Sequence, residues 1–210
     1  MKTPVFFNQN TKLVFRDYPN LKMGFSTQDF QKAMPVDVES LTEIIEYASK
    51  EGYQFIMLRD ELAKLTTADC KALARVAKKN RIDVIYEIHK NPFDSGYFEI
   101  FERGLTNTLL LPGPGIIRTL VSKSEFDSDA SRKGWKKDEL ANLARLSAKC
   151  DSMAKAKNVR FIVENFHAAF FGDGLKYFGL TDFFANTSVT GLHFDISNPF
   201  RITSWKKAEP

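Results

Sequence analysis

The stretch Val159-Arg-Phe-Ile-Val-Glu-Asn165 decides the fold class of this 210-residue chain. It is an apolar run of strand length that ends on one acid, Glu164, and Gly191-Leu-His-Phe-Asp-Ile-Ser-Asn198 repeats the design with Asp195. A buried carboxylate needs a cation or a proton to offset its desolvation, so an acid that ends a buried strand indicates a functional site. The two acids are 31 positions apart, about one strand–helix–strand step. We therefore expect both at the same rim of a parallel sheet.

Six apolar runs of strand length recur along the chain, with helical patterns between them. The runs are Leu21–Ser26, Gln54–Arg59, Ile82–Ile88, Thr108–Leu111, Val159–Glu164 and Gly191–Ile196. Their centres are nearly continuously apolar, which predicts strands buried on both faces. The helical patterns are Asp37–Glu51, a segment opened by the capping box Thr66-Thr-Ala-Asp69, Tyr97–Arg103, Lys137–Lys157 and Thr181–Ala185. This alternation predicts an α/β fold with a parallel sheet and right-handed crossovers.

The domain organisation predicted from the sequence is simple. Residues 1–20 form an N-terminal extension and residues 21–210 a single domain, because no linker divides them. A hydrophobic content of 43% suffices for one core. The polar stretch Ser122–Lys137 interrupts the regular spacing of the units. We interpret it as a solvated insertion, and the alternative is a lid that carries Trp135.

Composition narrows the class of protein. The net charge is +4, and the Lys and Arg residues are spread among acids, which argues against a nucleic-acid-binding face. The two cysteines, Cys70 and Cys150, fall inside helical patterns and suit buried thiols in a reducing compartment. Neither a signal peptide nor a membrane-spanning run is apparent. The sequence thus predicts a cytoplasmic protein with no membrane partner.

The order of four short motifs resembles a known family. The motifs are Met23-Gly-Phe-Ser26, Met57-Leu-Arg-Asp60, Val163-Glu-Asn165 and Phe194-Asp-Ile-Ser-Asn-Pro199. Together they resemble the xylose-isomerase-like TIM barrels of the sugar phosphate isomerase/epimerase superfamily, over roughly Leu21 to Arg201. The resemblance implies a TIM-barrel-like parallel sheet. With six strands, this would be an incomplete barrel of about six β/α units, since a full barrel takes about 250 residues.

The resemblance also implies a metal site at the carboxyl end of the barrel. Glu164 matches the family's first ligand and Asp195 its second, while Asn198 stands where many members carry a His. Met57 stands where many members carry a Glu. The implied cofactor is a divalent metal (Mn²⁺, Mg²⁺, Co²⁺ or Zn²⁺). The implied reaction moves a proton between adjacent carbons of a sugar or sugar phosphate through an enediolate, with Glu164 as ligand and base.

Further residues are candidates for substrate binding. They are Arg59, His89, His167 and Asn198, each at or just after a predicted strand end. The alternative for the acids is that Glu164 and Asp195 cap loops or pair with Arg59 and Arg160. For Arg59, a salt bridge to Glu87 is the alternative. His193 is interpreted as a core residue.

The counterparts of the family's seventh and eighth units are missing, and with them the expected His and second Glu. We therefore expect little turnover from this chain alone, which would be a fragment, a degenerate relative or a chain completed by a partner. A homo-oligomer that covers the open sheet edges is one such arrangement. The alternative function is a non-catalytic sugar- or metal-binding module, a pseudoenzyme. A DNA-repair enzyme of the endonuclease IV type is disfavoured, because its zinc cluster needs many histidines and this chain has three.

Overall fold

A computed structural model of the protein describes residues 6–9, 12–15, 20–30, 33–121, 134–164, 175–189 and 191–194, and for the first two segments the backbone alone. The strands are β1 Phe6–Gln9, β2 Lys12–Phe15, β3 Gly24–Ser26, β4 Phe55–Arg59, β5 Asp83–Glu87, β6 Ile116–Leu120, β7 Arg160–Glu164 and β8 Gly191–His193. The helices are α1 Val38–Lys50, α2 Thr67–Asn80, α3 Tyr97–Leu110, α4 Lys137–Lys155 and α5 Leu180–Ala185. A short 3₁₀ turn, Thr27–Asp29, follows β3.

Strands β3 to β8 form one six-stranded parallel sheet whose order follows the chain. Its register places Ile56 of β4 beside Val84 of β5, and Val163 of β7 beside Leu192 of β8. Helices connect the strands, as parallel neighbours require. The predicted fold class, an α/β fold of the incomplete TIM-barrel type, is confirmed. Strands β1 and β2 pair as a separate antiparallel hairpin, which the sequence did not predict.

The chain divides into two compact units. The first comprises Met1–Glu87 and Arg103–Ile117, and the second comprises Ile88–Glu102 and Arg118–Pro210. The predicted division into an extension over residues 1–20 and a domain over residues 21–210 stays a prediction.

In the first unit, local sequence signals set the ends of α1 and α2. The Asp37 side chain accepts a hydrogen bond from the Ser40 backbone N–H at 2.9 Å and so caps α1. The predicted capping box at Thr66 is present at the start of α2, with Asp69 as its other member. The two helices pack against each other, and their buried faces are apolar.

In the second unit, α4 and the first residues of α3, up to Glu102, pack on one face of β7. The Phe101 and Phe161 rings meet edge-to-face with centroids 5.3 Å apart. Tyr97 and Cys150 are both buried, and the thiol lies 3.7 Å from the Tyr97 hydroxyl. Because side chains alternate along a strand, Phe161 and Val163 face the helices, and Ile162 and Glu164 face the other way. That second face of the sheet carries the candidate site, and we call it the inner face.

The inner face is less buried than the sequence predicted. Met57, Ile85 and Ile162, one inner-face residue from each of three strands, are half-buried, whereas their outward neighbours are buried. The prediction that both faces are fully buried is therefore wrong for these strands. A sheet packed on its helical face and partly open on the other explains the difference.

The predicted fourth strand is also wrong. Thr108–Leu110 continues α3, and the strand lies further on, at β6 Ile116–Leu120. The Thr108 hydroxyl donates to the Gly104 carbonyl at 2.8 Å, the helical bond that lets a threonine sit inside a helix. The turn Pro112-Gly-Pro-Gly115 therefore precedes a strand instead of following one.

Trp135 belongs to the core of its unit. It is 1% exposed, and its backbone exchanges two hydrogen bonds of 2.8 Å with Phe178. The alternative of a lid that carries this side chain is not supported by such burial. Residues 122–133 of the predicted insertion lie outside the described residues. Within the described part of the chain, no helix is long and apolar enough to cross a membrane.

Candidate functional site

In the first unit, the ends of β4 and β5 place an arginine beside a glutamate. Arg59 and Glu87 are register partners, and their side chains form an ion pair at 3.6 Å. The Arg59 guanidinium also lies 3.0 Å from Glu61. Arg59 is 6% exposed and Glu87 is fully buried, so each side chain supplies the other's counter-charge. Arg59 as a substrate contact stays a prediction.

Directly after β4, Asp60 organises the loop that leads to α2. Its carboxylate accepts hydrogen bonds from the backbone N–H groups of Lys64 and Leu65, each at 2.8 Å, and from the Tyr86 hydroxyl at 2.7 Å. Asn107 of α3 donates to the Leu65 carbonyl and to the Tyr86 oxygen. Burial and the Asp60 charge raise the pKa of Tyr86 well above its ordinary value, which keeps the hydroxyl protonated as a donor.

A cavity of about 400 Å³ opens beside this loop. Its lining combines four apolar side chains with three charged ones: Met34, Pro35, Val36, Leu62, Asp60, Glu61 and Lys64. The volume suits a small molecule. The Asp60 carboxylate accepts three hydrogen bonds from the protein and Glu61 lies 3.0 Å from the Arg59 guanidinium, so two of the three charged groups in the lining already have protein partners.

In the second unit, the ends of β6 and β7 repeat the pairing of arginine with glutamate. Arg118 Nη1 contacts Glu164 Oε2 directly, and the two side chains are only 3% and 8% exposed. Both belong to strands whose outward residues pack beneath helices, so the pair lies on the inner face. The opposite charge is thus supplied by Arg118, not by Arg59 or Arg160; Arg160 is exposed.

Two histidines belong to backbone segments that pair with the strands of Arg118 and Glu164. His193 of β8 is the register partner of Glu164, so the two residues occupy the same layer of the inner face. His193 is half-buried, and so is His89. His89 follows Ile88, whose backbone N–H donates to the Arg118 carbonyl at 3.0 Å and fixes this segment beside β6. Substrate binding by His89 stays a prediction.

Three predicted site residues, Asp195, His167 and Asn198, lie outside the described residues. Glu164 is thus the one member of the predicted metal site whose surroundings are described. Among the described residues, no group of three His, Cys, Asp or Glu side chains is placed to hold a metal ion. A guanidinium opposes the Glu164 carboxylate, and a divalent metal ion at this site stays a prediction.

Arg118 is the functional candidate that sequence reasoning missed. The signal was present, because Ile116-Ile-Arg-Thr-Leu120 is an apolar run of strand length with one cation at its centre. A lone cation in a buried strand indicates a functional site just as a lone acid does, since both need a counter-charge. Arg118 was missed because the fourth strand was predicted at Thr108–Leu111 instead of Ile116–Leu120.

The fold and the strand-end residues define an incomplete TIM-barrel-like α/β protein with charged pairs at the carboxyl ends of its strands. No protein-family profile and no curated protein sequence matches this chain.

Among solved structures, the chain is similar to D-allulose 3-epimerase from Methylomonas sp. One structure of that enzyme, with additional C-terminal residues, matches with a TM-score of 0.64 and 11% identity over 88% of this chain and 66% of that one. Another, in complex with D-allulose, matches with a TM-score of 0.61 and 12% identity over 83% and 62%. The chain spans less than two thirds of the length of these structures. At such identities the comparison shows the fold, and it confirms the resemblance at that level.

Proposed function

We propose that this chain is a sugar isomerase/epimerase-like protein whose ligand, a sugar or sugar phosphate, binds at the carboxyl ends of β6 and β7. The observation that carries the proposal is Glu164, a buried acid on the inner face at the last position of β7. The supporting comparison is an epimerase of the same fold that was solved with D-allulose. In parallel α/β folds, ligands bind at the carboxyl ends of the strands.

The residues of the pair suit proton transfer next to a carbonyl group. In this proposal, Glu164 takes the proton from the carbon beside the carbonyl. Negative charge then develops on the carbonyl oxygen, and the Arg118 guanidinium donates to that oxygen. His193 lies in the same layer as Glu164, and in this proposal it contacts a neighbouring hydroxyl.

A second candidate is sugar binding without turnover. The observation that favours it is the contact between Arg118 and Glu164, because a carboxylate held by a guanidinium must first leave it to reach a carbon. The pair would then serve as a fixed hydrogen-bonding surface for hydroxyl groups.

One experiment separates the two candidates. We expect D-allulose to bind the purified 210-residue protein in calorimetry. Prolonged incubation in D₂O should replace the proton at C3 slowly, because little turnover is expected from this chain alone, and NMR detects that exchange. Glu164→Gln should abolish the exchange, whereas Arg160→Gln, an exposed change on the same strand, should leave it intact. Binding without exchange supports the second candidate. If neither D-allulose nor any other ketose or ketose phosphate binds, both candidates are wrong.

A further inference from the structure

We propose that the cavity beside the β4–α2 loop binds a zwitterion with an apolar side chain, the chemical class of an apolar α-amino acid. The ammonium group of this ligand pairs with Glu61, its carboxylate pairs with Lys64, and its side chain packs on the apolar part of the lining. All of the lining residues belong to the first unit. The inference therefore does not depend on the proposed function, whose residues Arg118 and Glu164 belong to the second unit.

Charges of both signs line the cavity without neutralising each other. Glu61 and Lys64 are three positions apart in the same loop, and both are exposed. The structure shows no ion pair between them, and none of the Lys64 ammonium with any other residue that it describes. A separate anion and cation on the wall of one cavity match a ligand that carries both charges.

The Glu61 carboxylate can accept the ammonium group of a ligand although it has a protein partner. Its Oε1 lies 3.0 Å from the Arg59 guanidinium, and the Glu61 side chain is 52% exposed. Within the described part of the chain Oε2 has no such contact, so a second donor can reach it. Asp60 adds a buried acid to the same lining, and its three hydrogen-bond donors are two backbone amides and the Tyr86 hydroxyl, none of them a cation. Both acids favour a positive group in the cavity.

Four apolar side chains complete the described lining. Met34, Pro35 and Val36 come just before α1, and Leu62 lies in the β4–α2 loop. Val36 is 36% exposed, and contact with an apolar side chain of a ligand would remove that surface from water. The volume of about 400 Å³ is at the lower end of the usual range for small-molecule sites, which fits a single amino acid better than a peptide chain.

NMR titration of the isotope-labelled protein with L-phenylalanine gives the direct test. We expect saturable shifts of the backbone amide signals of Met34, Val36, Leu62 and Lys64, with a Kd of about 1 mM. N-Acetylphenylalanine lacks the ammonium group and phenylalaninamide lacks the carboxylate, so each should bind at least about threefold more weakly. All titrations are made at about pH 6, where the amine of phenylalaninamide is protonated. Absence of saturation up to about 20 mM L-phenylalanine would overturn the inference, and so would equal or tighter binding of either derivative.

Two variants that remove a charge assign the two ends of the ligand. Lys64→Gln should weaken L-phenylalanine binding at least about threefold and leave phenylalaninamide binding unaffected. Glu61→Gln should weaken the binding of both compounds and leave that of N-acetylphenylalanine unaffected. Lys71→Gln on α2 and Glu46→Gln on α1 are the matched controls, since both residues are exposed and lie outside the lining. A cavity variant that binds all three compounds like its control would show that the inference is wrong.

Discussion

Three buried acids at or next to strand ends form ion pairs or hydrogen bonds with identified partners. Arg118 forms an ion pair with Glu164, and Arg59 forms one with Glu87. The Asp60 carboxylate accepts three hydrogen bonds, two from its own loop and one from Tyr86. A buried charge left alone would cost several kcal/mol, on the order of the stability of a small domain. The positions of these charged side chains at the strand ends therefore depend on electrostatic interactions as much as on apolar packing.

The buried thiols of Cys70 and Cys150 should make the stability of the protein depend on pH. Both are fully buried, and burial raises the pKa of each to about 12. In the unfolded chain a thiol ionises near its ordinary value of 9.0. The folded state thus binds more protons above that pH, so stability is lost as the pH rises past about 9, by up to about 1.4 kcal/mol per thiol at one unit above.

Two measurements check this prediction. Neither thiol should react with Ellman's reagent in native buffer at mildly alkaline pH, and both should react in denaturant. Urea unfolding should show a smaller loss of stability between neutral and alkaline pH for Cys150→Ser than for the unaltered protein. One equivalent of rapid reaction under native conditions would show that a thiol is accessible.

The site residues differ in how far the sequence could reveal them. That Glu164 is a buried acid at a strand end could be predicted, because it is the single acid at the end of an apolar run, while its role in a site stays a prediction. Its partner Arg118 could not, since partner choice depends on which strands are neighbours, and the strand that carries Arg118 had been placed elsewhere. The layer that His193 shares with Glu164 is likewise a matter of register between β7 and β8, which no local pattern encodes.

At the scale of elements, boundaries fixed by local chemistry were predicted well. The caps at Asp37 and Thr66 depend on hydrogen bonds to residues three positions away, and both are present. The run Thr108–Leu111 was predicted as a strand because it is short and apolar and its one threonine favours strands in isolation. Tertiary contacts override that preference: Asn107 in the same turn of α3 is buried and bonded to Leu65 and Tyr86.

Gly134 lies where a side chain would meet the backbone of Phe178. It has a φ of +84°, and a Cβ added there would lie 2.2 Å from the Phe178 carbonyl oxygen. Gly96 has a similar φ of +70° but nothing within 4 Å of such a Cβ. Gly134→Ala should therefore disrupt the bridge between Trp135 and Phe178, and it should cost clearly more than Gly96→Ala, for which we expect about 1 kcal/mol from backbone strain alone.

Urea unfolding of the two glycine variants measures the difference. A change in Trp fluorescence in Gly134→Ala, absent in Gly96→Ala, would locate the damage at the bridge. Equal losses in the two variants would mean that the close approach of Phe178 is not what requires glycine at position 134.

At the scale of the whole molecule, β3 and β8 are the outer strands of the sheet that the structure describes. Leu192 of β8 is 39% exposed and Phe194, which follows on the same face, is 46% exposed. Val163, the register partner of Leu192 on β7, faces the helices, so the apolar surface continues beyond the helical cover. An outer strand with exposed apolar residues invites pairing with another chain.

The exposed apolar residues of β8 lead us to predict self-association through this strand. If a homo-oligomer forms over this edge, Leu192→Lys should shift the protein toward the monomer in sedimentation velocity at tens of micromolar. Leu175→Lys is the matched control, because Leu175 is 90% exposed and lies outside the sheet. An unchanged distribution for Leu192→Lys would exclude this edge as the interface.

The Asp60 loop has a consequence for the cavity that it borders. Lys64 and Leu65 are held through their backbone amides, and Arg103 donates to the carbonyls of Leu62 and Ala63. These hydrogen bonds order the loop in the absence of a ligand, so a ligand that binds beside it would not have to order it. Binding beside the loop would consequently lose little conformational entropy, and affinity there would depend on the fit of the guest.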